Sequence, residues 1–194
     1  MKFTERTSKL RPEGAYKVLA RAQELEAEGR HIIHLEIGQP DFDTPDNISL
    51  SGIRAISEGY TKYNSTAGIA ELRAVIAEDA GRRRGITIGP EQVLVSPGAK
   101  PNLFFPTLAL VEQGDEVIYP NPGFPSYEAM IGAAGAIAVP VPLLEENDFC
   151  VNLDLLEGLV NARTKLIILN SPSNPTGGVI PPEDLAHIAA KARE

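Results

Sequence analysis

The 194-residue sequence predicts an α/β protein with a mostly parallel sheet, and three observations carry that reading. From Gln92 onward, "QVLVS", "DEVIYP", "AIAVPV" and "KLIILN" form four short apolar runs rich in Val and Ile. Between them lie stretches of helical pattern near 101–112, 124–134 and 152–161. Strands alternating with helices imply βαβ units with right-handed crossovers. Composition agrees with a globular chain: 43% hydrophobic, 23% charged, with 17 Gly and 16 Pro.

Taken in order, residues 13–28 put Ala15, Val18, Leu19, Ala22 and Leu25 on one helical face, and Gly29 closes the helix. "HIIHLEIG" reads as an extended segment, followed by the turn-rich "QPDFDTP". A second helix is expected from Asp46 to Glu58, and a third from Ile69 to about Arg82 with Ile69, Leu72, Val75 and Ile76 as its buried stripe. Pro140 cannot donate to a ladder, which puts "AIAVPV" at a sheet edge. The last segment, Pro181 to Glu194, patterns as a helix with no strand after it, so the chain reads as cut. No internal repeat and no linker between independent domains is visible.

Charge and composition narrow the function. A net charge of −8 argues against nucleic acid, which needs a clustered basic surface. The basic run Arg82-Arg83-Arg84 falls at a helix end, where the helix dipole favours cations. Cys150 is the single cysteine, so no internal disulfide framework exists, as suits a reducing cytoplasm. The N-terminal "MKFTERTSKLRPEGAY" has no apolar core of the signal-peptide kind, and no run reaches the roughly 18 apolar residues of a membrane span. A cytoplasmic protein without nucleic-acid or membrane partners is expected.

Several segments could carry chemistry. "SPGAKPN" joins a strand to a helix, where free N–H groups and the helix dipole favour an anion; a plain turn explains it as well. "NSPSNPTGG" places Asn174 at the C-terminal sheet edge, where open α/β sheets bind ligands, or else in an Asx turn. "YPNPGFPSYE" brings Phe124 and Tyr127 to the same edge, either to stack on a flat ring or to fill the core. Tyr63 offers a phenol from a polar loop. His31 and His34 lack an acidic partner at metal-ligand spacing and read as structural; no metal site is expected. Asp41 and Asp43 are explained by turn formation.

Five segments occur in an order that changes this balance: "LEIGQPDFDTP", "YTKYNSTAGIAELR", "VLVSPGAKPNLFF", "GDEVIYPNPGFPSYE" and "NSPSNPTGG". Together they resemble the class I/II aminotransferases, the fold type I pyridoxal-phosphate-dependent enzymes of aspartate aminotransferase type, over their N-terminal portion. The resemblance implies a three-layer α/β/α fold. Residues 1–45 would be an N-terminal helix and small-domain segment, and 46–194 the first part of the large cofactor domain. It implies the cofactor pyridoxal 5'-phosphate, amino acid and 2-oxo acid substrates, and a homodimer. Gly38 would lie by the substrate carboxylate, and Tyr63 would reach the cofactor phosphate of the other subunit. Gly98, Ala99 and Lys100 would cradle the phosphate, Phe124 would stack on the pyridine ring, and Asn174 would meet the 3-oxygen beside the substrate. Cis peptides are implied at Asn121-Pro122 and Asn174-Pro175. Lys100 departs from the family, which often has Ser or Thr at that position.

The resemblance also implies what is missing. The Schiff-base lysine, the aspartate under the ring and the main substrate-carboxylate arginine would all come after Glu194. None of Lys2, Lys9, Lys17, Lys62, Lys100, Lys165 or Lys191 has the family's Ser-x-x-Lys context, so no catalytic residue is assigned and the chain alone is expected to be inactive. "QVLVS" would pair with strands from later sequence, leaving open edges and a chain that is poorly soluble or needs a partner. Transamination by the parent enzyme is the leading reading. The alternatives are a non-catalytic or partner-complemented half, a C–S lyase or decarboxylase of the same fold, and an unrelated phosphate-binding α/β domain.

Overall fold

A computed structural model describes Thr4, Thr7 and residues 14–193. The expected helix start at residue 13, the first residues of the N-terminal segment and Glu194 lie outside the described residues. Contacts divide the chain into two compact units, one of Ala15–Ala99 and one whose main body begins at Lys100.

The first unit carries three helices, α1 (Gly14–Ala27), α2 (Asp46–Ser57) and α3 (Ala70–Arg84), and a 3-10 turn at Pro90–Gln92. Gly29 closes α1 with φ of 87°, its N–H donating to the Glu26 carbonyl at 2.8 Å. Gly85 ends α3 in the left-handed region after Arg82 and Arg83 have both paired with Asp79. The helix-end reading of the basic run therefore holds, with a local carboxylate added.

One expectation is overturned in α3. Ile69, Leu72, Val75 and Ile76 are exposed, and the buried positions are Ala77 and Gly81. Small residues decide this. A Cβ on Gly81 would fall 2.7 Å from the Ile86 carbonyl oxygen, so only glycine allows that close return of the chain. Arg73, on the same side, donates through Nε to the Val93 carbonyl at 2.9 Å and through a terminal nitrogen to that of Pro90 at 2.6 Å. Within this chain, close backbone approach at Gly81 and the arginine clamp mark the side of α3 that is covered. In α1, too, Val18 is exposed while Ala22 is buried.

The second unit holds α4 (Ala99–Leu110), β1 (Glu116–Asn121), α5 (Ser126–Ala134), β2 (Ile137–Pro142), α6 (Leu153–Leu159), β3 (Thr164–Ile167) and α7 (Pro182–Lys191). Its three strands are parallel in the order β2-β1-β3. Pro140 stands opposite Tyr119 on β2, which is an edge strand as its missing N–H requires. Successive β1 side chains point to opposite faces and start two cores. Val117 packs with Val111 and Ile131 of α5, while Ile118 packs with Val141, Leu143, Leu156 of α6 and Ile188 of α7. Helices thus cover both faces of the sheet, an α/β/α arrangement. The expected strand "QVLVS" is not formed: residues 93–96 have no regular structure and join no ladder among the described residues. Peptides are cis before Pro122, Pro172 and Pro175.

Candidate functional site

All strands being parallel, their C-terminal ends share one edge of the sheet, the edge at which open α/β sheets take ligands. Two of the sequence-selected residues follow those ends. Phe124 comes just after β1, and Asn174 comes after β3. Lys100 lies in the first turn of α4.

Phe124 is partly buried and forms a T-shaped pair with Tyr127, ring centroids 5.8 Å apart at 77°. Tyr127 itself is buried, so the core reading fits Tyr127, while Phe124 keeps a surface. The Lys100 ammonium stands 5.8 Å from the Phe124 ring centroid, within cation–π range. A positive charge and an aromatic face are therefore together in this unit.

Asn174 presents an exposed side chain on a tightly held backbone. Its N–H donates to Asn170 Oδ1 at 2.9 Å, and Asn170 Nδ2 donates to the Pro172 carbonyl at 3.2 Å. The Asx-type anchoring considered for Asn174 is made by Asn170. Around it, Ser173 N–H donates to the Gly178 carbonyl at 2.8 Å, and Gly177 N–H to that of Ser173 at 2.7 Å. The hydroxyls of Ser173 and Thr176 are buried without a protein partner.

In the first unit, Gly98 has φ of 91° and its N–H donates to the Ser96 carbonyl at 2.9 Å; Ser96 Oγ in turn donates to the Gly98 carbonyl at 2.8 Å. This turn delivers Ala99, the first residue of α4, which is exposed. Tyr63 is fully exposed and lines an open depression of about 430 Å³ with Glu58, Tyr60, Lys62 and Ile69. Gly38 is exposed, just after the bend at 36–37. The two histidines separate here. His34 Nε2 meets Glu26 at 2.9 Å and Nδ1 meets Glu36 at 2.6 Å, so sequence spacing missed both acidic partners. These two hydrogen bonds, Glu26 first, raise the His34 pKa to about 9. Among the described residues no group of His, Cys, Asp and Glu could hold a metal ion, and no helix is long and apolar enough to cross a membrane.

Phe124 and Asn174 belong to an α/β protein and gather after the C-terminal ends of its parallel strands. A family model described as aminotransferase class I and II matches residues 30–194. The chain is 43% identical over 187 residues to a probable aspartate/prephenate aminotransferase of Aquifex aeolicus (strain VF5), covering 96% of this chain and 48% of that protein. It is 40% identical over 186 residues to an aspartate aminotransferase of Bacillus subtilis (strain 168), covering 96% and 47%. Among solved structures, it superposes on an aspartate aminotransferase from Thermus thermophilus with maleate at a TM-score of 0.93 and 37% identity, covering 98% of this chain and 51% of that one. An alanine aminotransferase from Pyrococcus furiosus gives 0.92 at 30% identity, covering 99% and 50%. The chain belongs to the aminotransferase class I and II family. It spans about half the length of the curated relatives it matches.

The family is pyridoxal-phosphate-dependent and has the fold type I architecture, and the donor set fits that cofactor. An ammonium and the first turn of a helix suit a phosphate, a half-buried phenyl ring suits a pyridine ring, and an exposed asparagine suits a ring oxygen.

Proposed function

We propose that the chain is the N-terminal portion of a cytoplasmic aminotransferase of amino-acid biosynthesis, moving an amino group between an amino acid and a 2-oxo acid. Aspartate is the proposed amino donor, as the names of the relatives suggest. The observation that carries this reading is the family match over residues 30–194, which contains every residue assigned to the cofactor and substrate. In the complete enzyme, residues 1–45 would join the small domain and 46–194 would open the large one.

The bound cofactor would supply an electron sink for the substrate's Cα. The chain's own residues bind and orient. The first turn of α4, with Gly98, Ala99 and Lys100, holds the phosphate by backbone N–H groups and one ammonium. Phe124 would stack on the pyridine ring. Asn174 donates an amide N–H to the 3-oxygen and stands beside the substrate. Gly38 leaves room for the substrate carboxylate. Tyr63 donates its phenolic O–H to the phosphate in the other subunit of a homodimer, a role its full exposure supports.

The proton-moving lysine is not among these residues, so the chain alone would not turn over. The test is product analysis on the full reading frame supplied with pyridoxal phosphate, aspartate and a 2-oxo acid. Formation of the amino acid matching the 2-oxo acid supports the proposal. Loss of CO2 or of a sulfur leaving group from suitable substrates, without a new amino acid, assigns a decarboxylase or lyase instead. Turnover by the 194-residue chain would contradict the inactivity of the piece.

A further inference from the structure

Only two non-glycine residues among those described have positive φ, and they are adjacent: Asp148 at 48° and Phe149 at 52°. A bulky residue in the left-handed region is uncommon, and such backbone persists only where its surroundings fix it. Here the 3-10 turn Glu145–Asn147 leads in, with Asp148 N–H donating to the Glu145 carbonyl at 3.0 Å and Phe149 N–H to the Leu144 carbonyl at 3.0 Å. Phe149 packs its ring against the core of Ile118, Val141 and Leu156.

The purpose of this step is visible on the other side of it. A Cβ on Gly178 would fall 2.5 Å from the Phe149 carbonyl oxygen and 2.9 Å from that of Asp148, so the two backbones meet where only glycine fits. Cys150 Sγ donates to the Val179 carbonyl at 3.2 Å, extending the seam by one residue. Gly178 is also the residue whose carbonyl receives Ser173 N–H at 2.8 Å, closing the turn that contains Asn174. Asn174 is thus held from two sides, by Asn170 within its own loop and by Gly178 seated on Asp148-Phe149.

We infer that Asp148-Phe149 is a brace that positions Asn174, making the Glu145–Cys150 loop a positioning element for the cofactor's 3-oxygen. This rests on the proposed role of Asn174. The brace and the amide are separated by two dozen residues, and packing against a rigid core makes the brace stiff.

The experiment is a pH titration of the visible absorption of the complete, cofactor-loaded enzyme. A donor to an oxyanion lowers its pKa, so Asn174→Ala should raise the titration midpoint. Gly178→Ala should raise it too, by less, and the double variant should go no further than Asn174→Ala alone. Should Gly178→Ala fail to fold, Phe149→Gly keeps the positive φ while releasing the ring from the core, and should raise the midpoint likewise. If Asn174→Ala moves the midpoint but Gly178→Ala, or Phe149→Gly in its place, does not, or adds independently to it, the brace is overturned. If Asn174→Ala itself moves nothing, the Asn174 assignment falls first and the brace with it.

Discussion

The Glu116 carboxylate is tied to Arg163, whose Nε donates to it at 2.7 Å, while the Glu116 N–H donates to the Arg163 carbonyl at 2.8 Å. Asn161 Nδ2 completes the cluster at 2.7 Å. The cluster sits at a register jump. Glu116 stands opposite Thr164, but Val117 stands opposite Leu166, leaving Lys165 as a bulge. A buried carboxylate with two donors thus pins the start of β1 to the entry of β3.

Glu116→Ala should therefore loosen this end of the sheet and lower the thermal midpoint. The Asn161 hydrogen bond, opposed by burial and aided by Arg163, holds the Glu116 pKa below the usual carboxylate value of 4.5. Its contribution is complete above that value and is lost as pH falls through the lowered one. Thermal melts across the acid range should show the wild type losing stability there, and Glu116→Gln losing less. Equal acid sensitivity in both would refute the role.

His34 works in the opposite sense. With a pKa raised to about 9, it is charged at neutral pH between Glu26 and Glu36. The link between α1 and the following segment is fully present below the unfolded value of 6.5 and is lost as pH rises through about 9. An NMR titration of the imidazole checks this, and a midpoint near 6.5 would remove the link from consideration.

Gly68 has φ of 101°, and a Cβ there would lie 2.7 Å from Val95 Cβ. Gly68→Ala should destabilise the first unit by about 1–3 kcal/mol, the usual range for overpacking. Chemical denaturation measures the change. A neutral result would mean that the 67–68 segment, whose Ala67 carbonyl accepts the Val95 N–H at 3.0 Å, readjusts freely.

In the complete enzyme, Phe124→Ala should weaken cofactor retention by about 0.5–1.5 kcal/mol beyond lost burial, the range for an aromatic pair. Cofactor titration by absorbance reads the loss directly, and unchanged affinity would return Phe124 to a packing role.

Ile118 is fully buried at the centre of the larger core. Ile118→Ala should cost about 2–5 kcal/mol, as large-to-small core changes do. Val117→Ala, on the opposite face, should add to it with little coupling, since the sheet separates the two cores. Denaturant melts of the single and double variants decide the point.

The α/β class, the strand and helix order from Ala99 onward and the edge position of β2 were legible in the sequence, because they follow from period, propensity and the missing N–H of Pro140. The sequence also displayed the ordered motifs by which the family is recognised. Tertiary structure alone decided which side of α3 is buried, since that depended on how closely Gly81 lets the chain return and where Arg73 finds its carbonyls. It alone brought Glu26 to His34, Arg163 to Glu116 and Asp148-Phe149 to Gly178. Hydrogen bonds and backbone contacts between residues far apart in the chain leave no periodic trace, so they are decided only when the elements pack.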